Sequence, residues 1–347
     1  MAEKWIYWFE ELGKENNDIV GKKCANLGEM TKMGLPVPKG FALSVKAEER
    51  FLKETGAEDE IKKYLEKYGK VDSIDAYNEV SDALRKIVDG KKIPKDMRDI
   101  IISYYDKMCK ELGPDAPVSV RSAGTVSHPG QYETYLNVKG KADLQEKIIK
   151  VWSSIYNART IAALAHKGEP IWKSPLIGVA VLQLVNARCA GVGFTCDPIS
   201  GDPSQITIEG NWGFGESVVA GIMTPDRFIV DKKTLKIVNR EVREKQMRIV
   251  STAKGVVEEE LPPDKQATAC VSDEEIKKIA ELAIKLEEHW GIAQDMEWAV
   301  TDDIPAPNNV FLLQTRPVAG IKKPKAAETS ATSRSIDEII KATFNIK

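Results

Sequence analysis

Asp295-Met-Glu-Trp-Ala-Val300, followed after a short loop by Val310-Phe-Leu-Leu-Gln-Thr-Arg-Pro317, sets metal-ligand and anion-binding side chains on two neighbouring strands. Residues two apart share one face of a strand, so Asp295 and Glu297 point one way while Met296 and Trp298 point the other. On the second strand Gln314 and Arg316 share a side with Leu312, and Leu313 and Thr315 lie opposite. Pairing across the loop 301–309 brings two carboxylates, an amide oxygen and a guanidinium to one spot. Hard oxygen donors suit a magnesium ion, and the planar five-donor fork suits phosphoryl oxygens. The same alternation fits a solvated hairpin face, so the rest of the chain has to decide between them.

Working outward, a helix leads straight into this hairpin. Ser272 and Glu275 make a capping box, Ile276, Ile279, Ala280, Ala283 and Leu286 form an apolar stripe, and Gly291 stands at the left-handed C-terminal cap. Upstream the texture is strands, predicted over 177–185, 191–195, 205–209 and 227–230. Before residue 176 helices dominate: a short one after Gly21, stopped by Gly34, Pro36 and Pro38, then 45–65, 75–88, 94–112 and 142–165. Strands at 40–43, 117–121 and 134–138 lie among them. The reading is an α+β chain with a first lobe over 1–175 and a second over 176–320. Residues 321–347 read as a linker and a short helix whose Ile336, Ile339 and Ile340 face is expected to dock on a partner.

Composition narrows the classes. The chain has 347 residues, 29% of them charged, and a net charge of -2. No block of one sign dominates, which argues against nucleic acid or an anionic membrane as partner. The start, MAEKWIYWFEELG, lacks the basic and apolar runs of a signal peptide, and no apolar segment approaches a membrane span. Five cysteines with no CxxC pair fit a reducing cytoplasm. His128, His166 and His289 are scattered at no zinc-ligand spacing.

Further segments handle anions. Lys23 sits at a helix start, where backbone N–H groups and the helix dipole favour negative charge, although a surface lysine fits the same position. Arg121 ends an apolar strand and therefore needs an anionic partner, which a structural carboxylate can also supply. The small polar loop 122–130 can lie over phosphates. The loop Asn211-Trp-Gly-Phe-Gly-Glu216 either approaches a ligand or makes a tight turn. Gln183, Leu184 and Val185, ahead of polar Asn186, can form a hinge whose own N–H and C=O groups read a base edge.

In this order, the segments 21–30 with Pro36-Val-Pro-Lys-Gly-Phe41, Val120-Arg-Ser122, Gly130-Gln-Tyr-Glu-Thr134, Gly191-Val-Gly-Phe-Thr195, Trp212-Gly-Phe-Gly-Glu216 with Gly221 and Pro225-Asp226, and the final hairpin are similar to those of one family. The chain resembles the nucleotide-binding domain of the phosphoenolpyruvate synthase and pyruvate phosphate dikinase family, over about residues 9–318. The resemblance implies an ATP-grasp fold whose two lobes clamp a nucleotide. It implies that Lys23, Arg121 and Arg316 hold the triphosphate of ATP, that Glu297 and Gln314 bind Mg2+, and that Gln183, Leu184 and Val185 form the adenine hinge.

It further implies a phosphotransferase in which a histidine attacks the β-phosphorus and AMP leaves. Members of the family carry that histidine on a swivelling domain, and none of the three histidines here has the surroundings of that motif. The expectation is therefore an ATP-activating subunit served by a histidine on a separate partner, with a layout like that of phenylphosphate synthase and phenol or pyruvate as acceptor. Two departures from the family pattern bear on the site. Lys22 replaces a glycine, so Lys22 and Lys23 can exchange roles, and the loop 123–129 is shortened. The shortening leaves room for an alternative, a nucleotide-binding regulatory subunit that has lost the reaction.

Overall fold

The computed structural model describes residues 4–125, 133–215, 218, 221, 223–252 and 255–318. His128, the linker and the terminal isoleucine face lie outside the described residues. Contacts divide the chain into two units, Met1–Gly34 with Pro38–Leu184, and Leu35–Val37 with the chain from Val185 onward.

The first unit is built on an antiparallel sheet in the order β1 (Ile6–Trp8), β2 (Gly40–Leu43), β5 (Ile177–Gln183), β3 (Val118–Gly124), β4 (Thr134–Val138). Alternation sorts its side chains. Phe41, Leu43, Val118, Val120, Val179 and Val181 share one face and merge into a single core with six helices. These are α3 (Val45–Glu54), α4 (Ala57–Tyr68), α5 (Ile74–Asp89), α6 (Lys95–Leu112), α7 (Gly140–Ser153) and α8 (Ala158–Lys167). The opposite face carries Gly40, Ala42, Ala123, Gly178 and Ala180, small enough for α1 (Asn17–Val20) and α2 (Lys22–Lys32) to lie close against it.

Local signals explain where the helices differ from expectation. The single helix read over 45–65 is two, because Gly56 adopts φ 71 and starts a new axis. The helix read over 142–165 is broken by a turn at Ser154–Tyr156, and Asn157 caps the second piece by accepting from Thr160 N. β5 pairs with β2 and β3, so the strand read as opening the second lobe sits in the first unit's sheet.

The second unit holds a six-stranded antiparallel sheet in the order β13 (Val310–Pro317), β12 (Gln294–Thr301), β6 (Ala187–Phe194), β7 (Gln205–Trp212), β8 (Asp226–Asp231), β9 (Ile237–Glu241). A separate ribbon pairs β10 (Met247–Thr252) with β11 (Gly255–Glu260), and one turn of helix, α9 (Pro263–Gln266), follows it. The helix α10 (Asp273–Trp290) packs on the large sheet, over the buried row that includes Met296, Trp298, Ile208 and Phe228. Its ends are as the sequence specifies: Ser272 and Glu275 form the capping box, and Gly291 closes it at φ 63. Beneath the sheet's far edge Lys245 and Asp226, both buried, form an ion pair, and Asp226 also accepts from the backbone N of Arg243 and Cys270. Among the described residues no helix is long and apolar enough to cross a membrane.

Candidate functional site

In the first unit, Lys23 and Arg121 are carried toward one place by the small-residue face. Arg121 pairs with Ala180 and so points to the side of the sheet on which α2 lies. Gly21 makes the junction: at φ 81 its backbone presses on the end of β3, where an added Cβ would sit 1.8 Å from the Ala123 carbonyl oxygen. Only glycine permits that approach. The helix N-terminus therefore abuts the strand that carries Arg121, which lies within β3 and not at its end as the sequence suggested, because pairing with β5 continues to Gly124. Near both is Cys24, fully buried, whose thiol is pushed up to about 12 by burial and pulled back by the charges of Lys23 and Arg121. Two cations thus flank one helix start, an arrangement that favours an anion.

In the second unit, the register of β12 on β13 sets Asp295 opposite Arg316 and Glu297 opposite Gln314. Arg316 donates from Nε and Nη2 to Asp295 Oδ2 at 2.7 and 2.6 Å. Burial raises the Asp295 carboxyl above its ordinary range, the Arg316 charge opposes that rise, and Glu297 adds to it. A bulge follows. Between Glu297 and Trp298 the register slips by one, so Leu312 faces Trp298 and is buried on the α10 side. The strict alternation that put Leu312 with Gln314 is corrected here, because the bulge inserts Leu313 as an extra residue.

Leu313 and Phe311 instead pack against Val185, Ala187, Ala190 and Ala299, an apolar patch on the Glu297 side of the sheet. The sequence reading missed this patch, since bulges leave no periodic signal. Glu209 was missed as well. It shares that face through Val192, its charge partner is Arg227 with Nε at 3.8 Å, and burial raises its carboxyl. The alternation Ile206, Thr207, Ile208, Glu209 was the available signal.

Gln183, Leu184 and Val185, expected as an adenine hinge, join the two units in sequence. Gln183 N donates to Lys39 O at 2.8 Å and Leu184 N to Pro117 O at 2.9 Å, so two of their three N–H groups already bond within the first unit. Val185 is buried in the apolar patch. In the glycine loop, Gly213 at φ 76 presses on β10, an added Cβ falling 2.1 Å from Ile249 O, and Phe214 N donates to that same oxygen. Its close approach is to protein backbone. His166 ends α8 beside the Tyr77 ring, and His289 lies in the last turn of α10 against Trp290.

The donor set fits a hard cation. Among the described residues no three His, Cys, Asp or Glu side chains form a metal cage. A carboxylate and an amide oxygen on adjacent strands leave other positions to phosphate and water, as Mg2+ prefers.

The first unit thus offers a helix start near two cations, and the second, by itself, a strand pair with an amide, a carboxylate and a clasped arginine. Residues 17–336 match the family described as the pyruvate phosphate dikinase AMP/ATP-binding domain, and the chain belongs to that family. It is similar to a probable phosphoenolpyruvate synthase of Methanocaldococcus jannaschii, 38% identical over 330 residues, covering 93% of this chain and 27% of that protein. A probable phosphoenolpyruvate synthase of Staphylothermus marinus is 37% identical over 352 residues, covering 90% of this chain and 41% of the relative. The phosphoenolpyruvate synthase of Aeropyrum pernix is 35% identical over 351 residues, covering 91% and 42%. The chain spans less than half the length of these relatives.

Proposed function

We propose that this chain binds ATP with Mg2+ and activates it for a dikinase-type phosphoryl transfer, with its two units acting as the lobes of an ATP-grasp fold. The observation that carries the reading is the pairing of Glu297 with Gln314 one step from the Asp295–Arg316 clasp. In this reading Glu297 and Gln314 hold the Mg2+, which when bound neutralises phosphate charge. Lys23, Arg121 and Arg316 orient the triphosphate. The apolar patch around Val185 and Leu313 receives the base, with the stretch Gln183 to Val185 beside it. Phosphoryl transfer asks mainly for positioning and charge stabilisation, which these side chains supply.

The nucleophile in our reading is a histidine on a partner chain. Its nitrogen forms a bond to the β-phosphorus and the bond to AMP breaks; water then releases phosphate, and the remaining phosphoryl group passes to the acceptor. The names of the relatives favour pyruvate as acceptor, with phenol as the second choice. His166 and His289 end helices, and neither belongs to the strands that carry Glu297.

The test is to follow nucleotides when the protein is given ATP and Mg2+ with and without a histidine-bearing partner. AMP that appears only with the partner supports the proposal. AMP without it contradicts the in-trans nucleophile, ADP points to direct γ-transfer, and tight ATP binding without turnover in either case supports the regulatory alternative.

A further inference from the structure

Glu209 has no role in the reading above, although it lies on the face of the second unit's sheet that carries Glu297 and Gln314. The register places them in one row: Gln314 faces Glu297, Glu297 faces Val192, Val192 faces Glu209, and Glu209 faces Arg227 on β8. Two strand spacings separate Glu209 from Glu297, roughly 10 Å. Ala190, in the apolar patch, lies two residues from Val192 on β6, which makes it a diagonal neighbour of Glu209 at about 7–8 Å. Glu209 therefore flanks the step from the patch to Glu297.

Its carboxylate is held in place without being used up. Arg227 donates from Nη2 to Asp197 Oδ2 at 3.0 Å, and Asp197 Oδ1 accepts from the backbone N of Ile199 and Ser200 at 2.9 and 2.6 Å. Thus anchored, Arg227 sets Nε 3.8 Å from Glu209 Oε1, an ion pair outside hydrogen-bond distance. That Nε is buried and, among the described residues, has no hydrogen-bond acceptor. Nor does any described residue donate a hydrogen bond to Glu209, whose side chain is 28% exposed. The arginine fixes the carboxylate by charge and leaves its oxygens open to donors.

An ionised carboxylate only accepts hydrogen bonds. The phosphates of ATP offer acceptors alone and are repelled by it, so its possible partners are the base amino group and the ribose hydroxyls. The base edge already has residues 183–185 beside it in the reading above. Resting on that reading, we propose that Glu209 recognises the 2′- and 3′-hydroxyls of the nucleotide's ribose and makes the site selective for ribonucleotides over deoxyribonucleotides. A vicinal diol presents two O–H donors to the two carboxylate oxygens. The ribose has to lie between the base and the metal-bound phosphates, and Glu209 stands beside that interval. Burial has raised the Glu209 carboxyl, and two donors would favour its charged form again.

The experiment titrates the full-length chain, with Mg2+ present, with ATP, 2′-deoxy-ATP and 3′-deoxy-ATP in a calorimeter. Wild type should bind ATP about tenfold or more tightly than either deoxynucleotide, the loss expected for one hydrogen bond to a charged group. Glu209→Ala should bind all three with equal affinity. Glu209→Gln, of the same shape, should lose most of the preference and decides the matter if the alanine variant fails to fold. ATP bound no more tightly than its deoxy forms by wild type, or a preference kept in both variants, would overturn the assignment while leaving ATP binding in place. No binding of any of the three by wild type would overturn it together with the reading on which it rests.

Discussion

Asp295 clasps Arg316 by one carboxylate oxygen, which accepts from Nε at 2.7 Å and lies 2.6 Å from Nη2. The aspartate occupies one edge of the guanidinium fork and so fixes where the other edge points. Replacing Arg316 with Ala should slow AMP formation by about 10³-fold if the arginine stabilises the transferring phosphoryl group. Asp295→Asn should leave the charge but lose its aim, at a cost of roughly 10²-fold in kcat with little change in KM for ATP. Steady-state assays of both variants check this, and unchanged rates in R316A would remove it from the site.

Glu297 and Gln314 face each other across β12 and β13. Glu297→Gln and Gln314→Ala should each weaken Mn2+ binding in the presence of ATP by about tenfold or more, read by electron paramagnetic resonance. Chelation of the divalent ion should abolish turnover in wild type. Full manganese affinity in both variants would place the metal elsewhere.

Glu48 gives a pH signature independent of the site. It is fully buried, its Oε2 accepts from Ile177 N, and burial raises its carboxyl well above the ordinary range. The folded state therefore holds a proton that the unfolded chain releases, and stability falls as pH rises from the ordinary carboxylate range toward the raised value. Glu48→Gln keeps the acceptor and removes the titration. Its melting temperature should exceed that of wild type by a margin that grows from pH 4 to pH 8; a margin that stays flat would show that Glu48 does not titrate as described.

Lys245 and Asp226 form a buried pair that binds the chain after β9 and the segment before α10 to β8. Lys245→Met leaves an uncompensated carboxylate and should cost about 3–5 kcal/mol in urea unfolding of the second unit. A loss below about 1 kcal/mol would mean that water reaches Asp226 once the lysine is gone.

Much of this was legible in the sequence, and the parts that were not share a cause. The capping box at Ser272, the cap at Gly291 and the partnership of Asp295, Glu297, Gln314 and Arg316 follow from local chemistry and strand alternation. The placement of Leu312 failed because a bulge changes the count between two strands without changing composition. The breaks at Gly56 and Asn157 were hidden inside continuous apolar stripes. Glu209 and the patch around Leu313 depend on which strands become neighbours. Pairing order is a property of the whole sheet.

Calorimetric titration of the intact chain with ATP and Mg2+ tests the central claim most directly. The account predicts saturable one-site binding that weakens at least tenfold when the metal is chelated, and again in Arg121→Ala and Arg316→Ala separately. Absence of binding heat, or affinity indifferent to the metal and to both arginines, would contradict it.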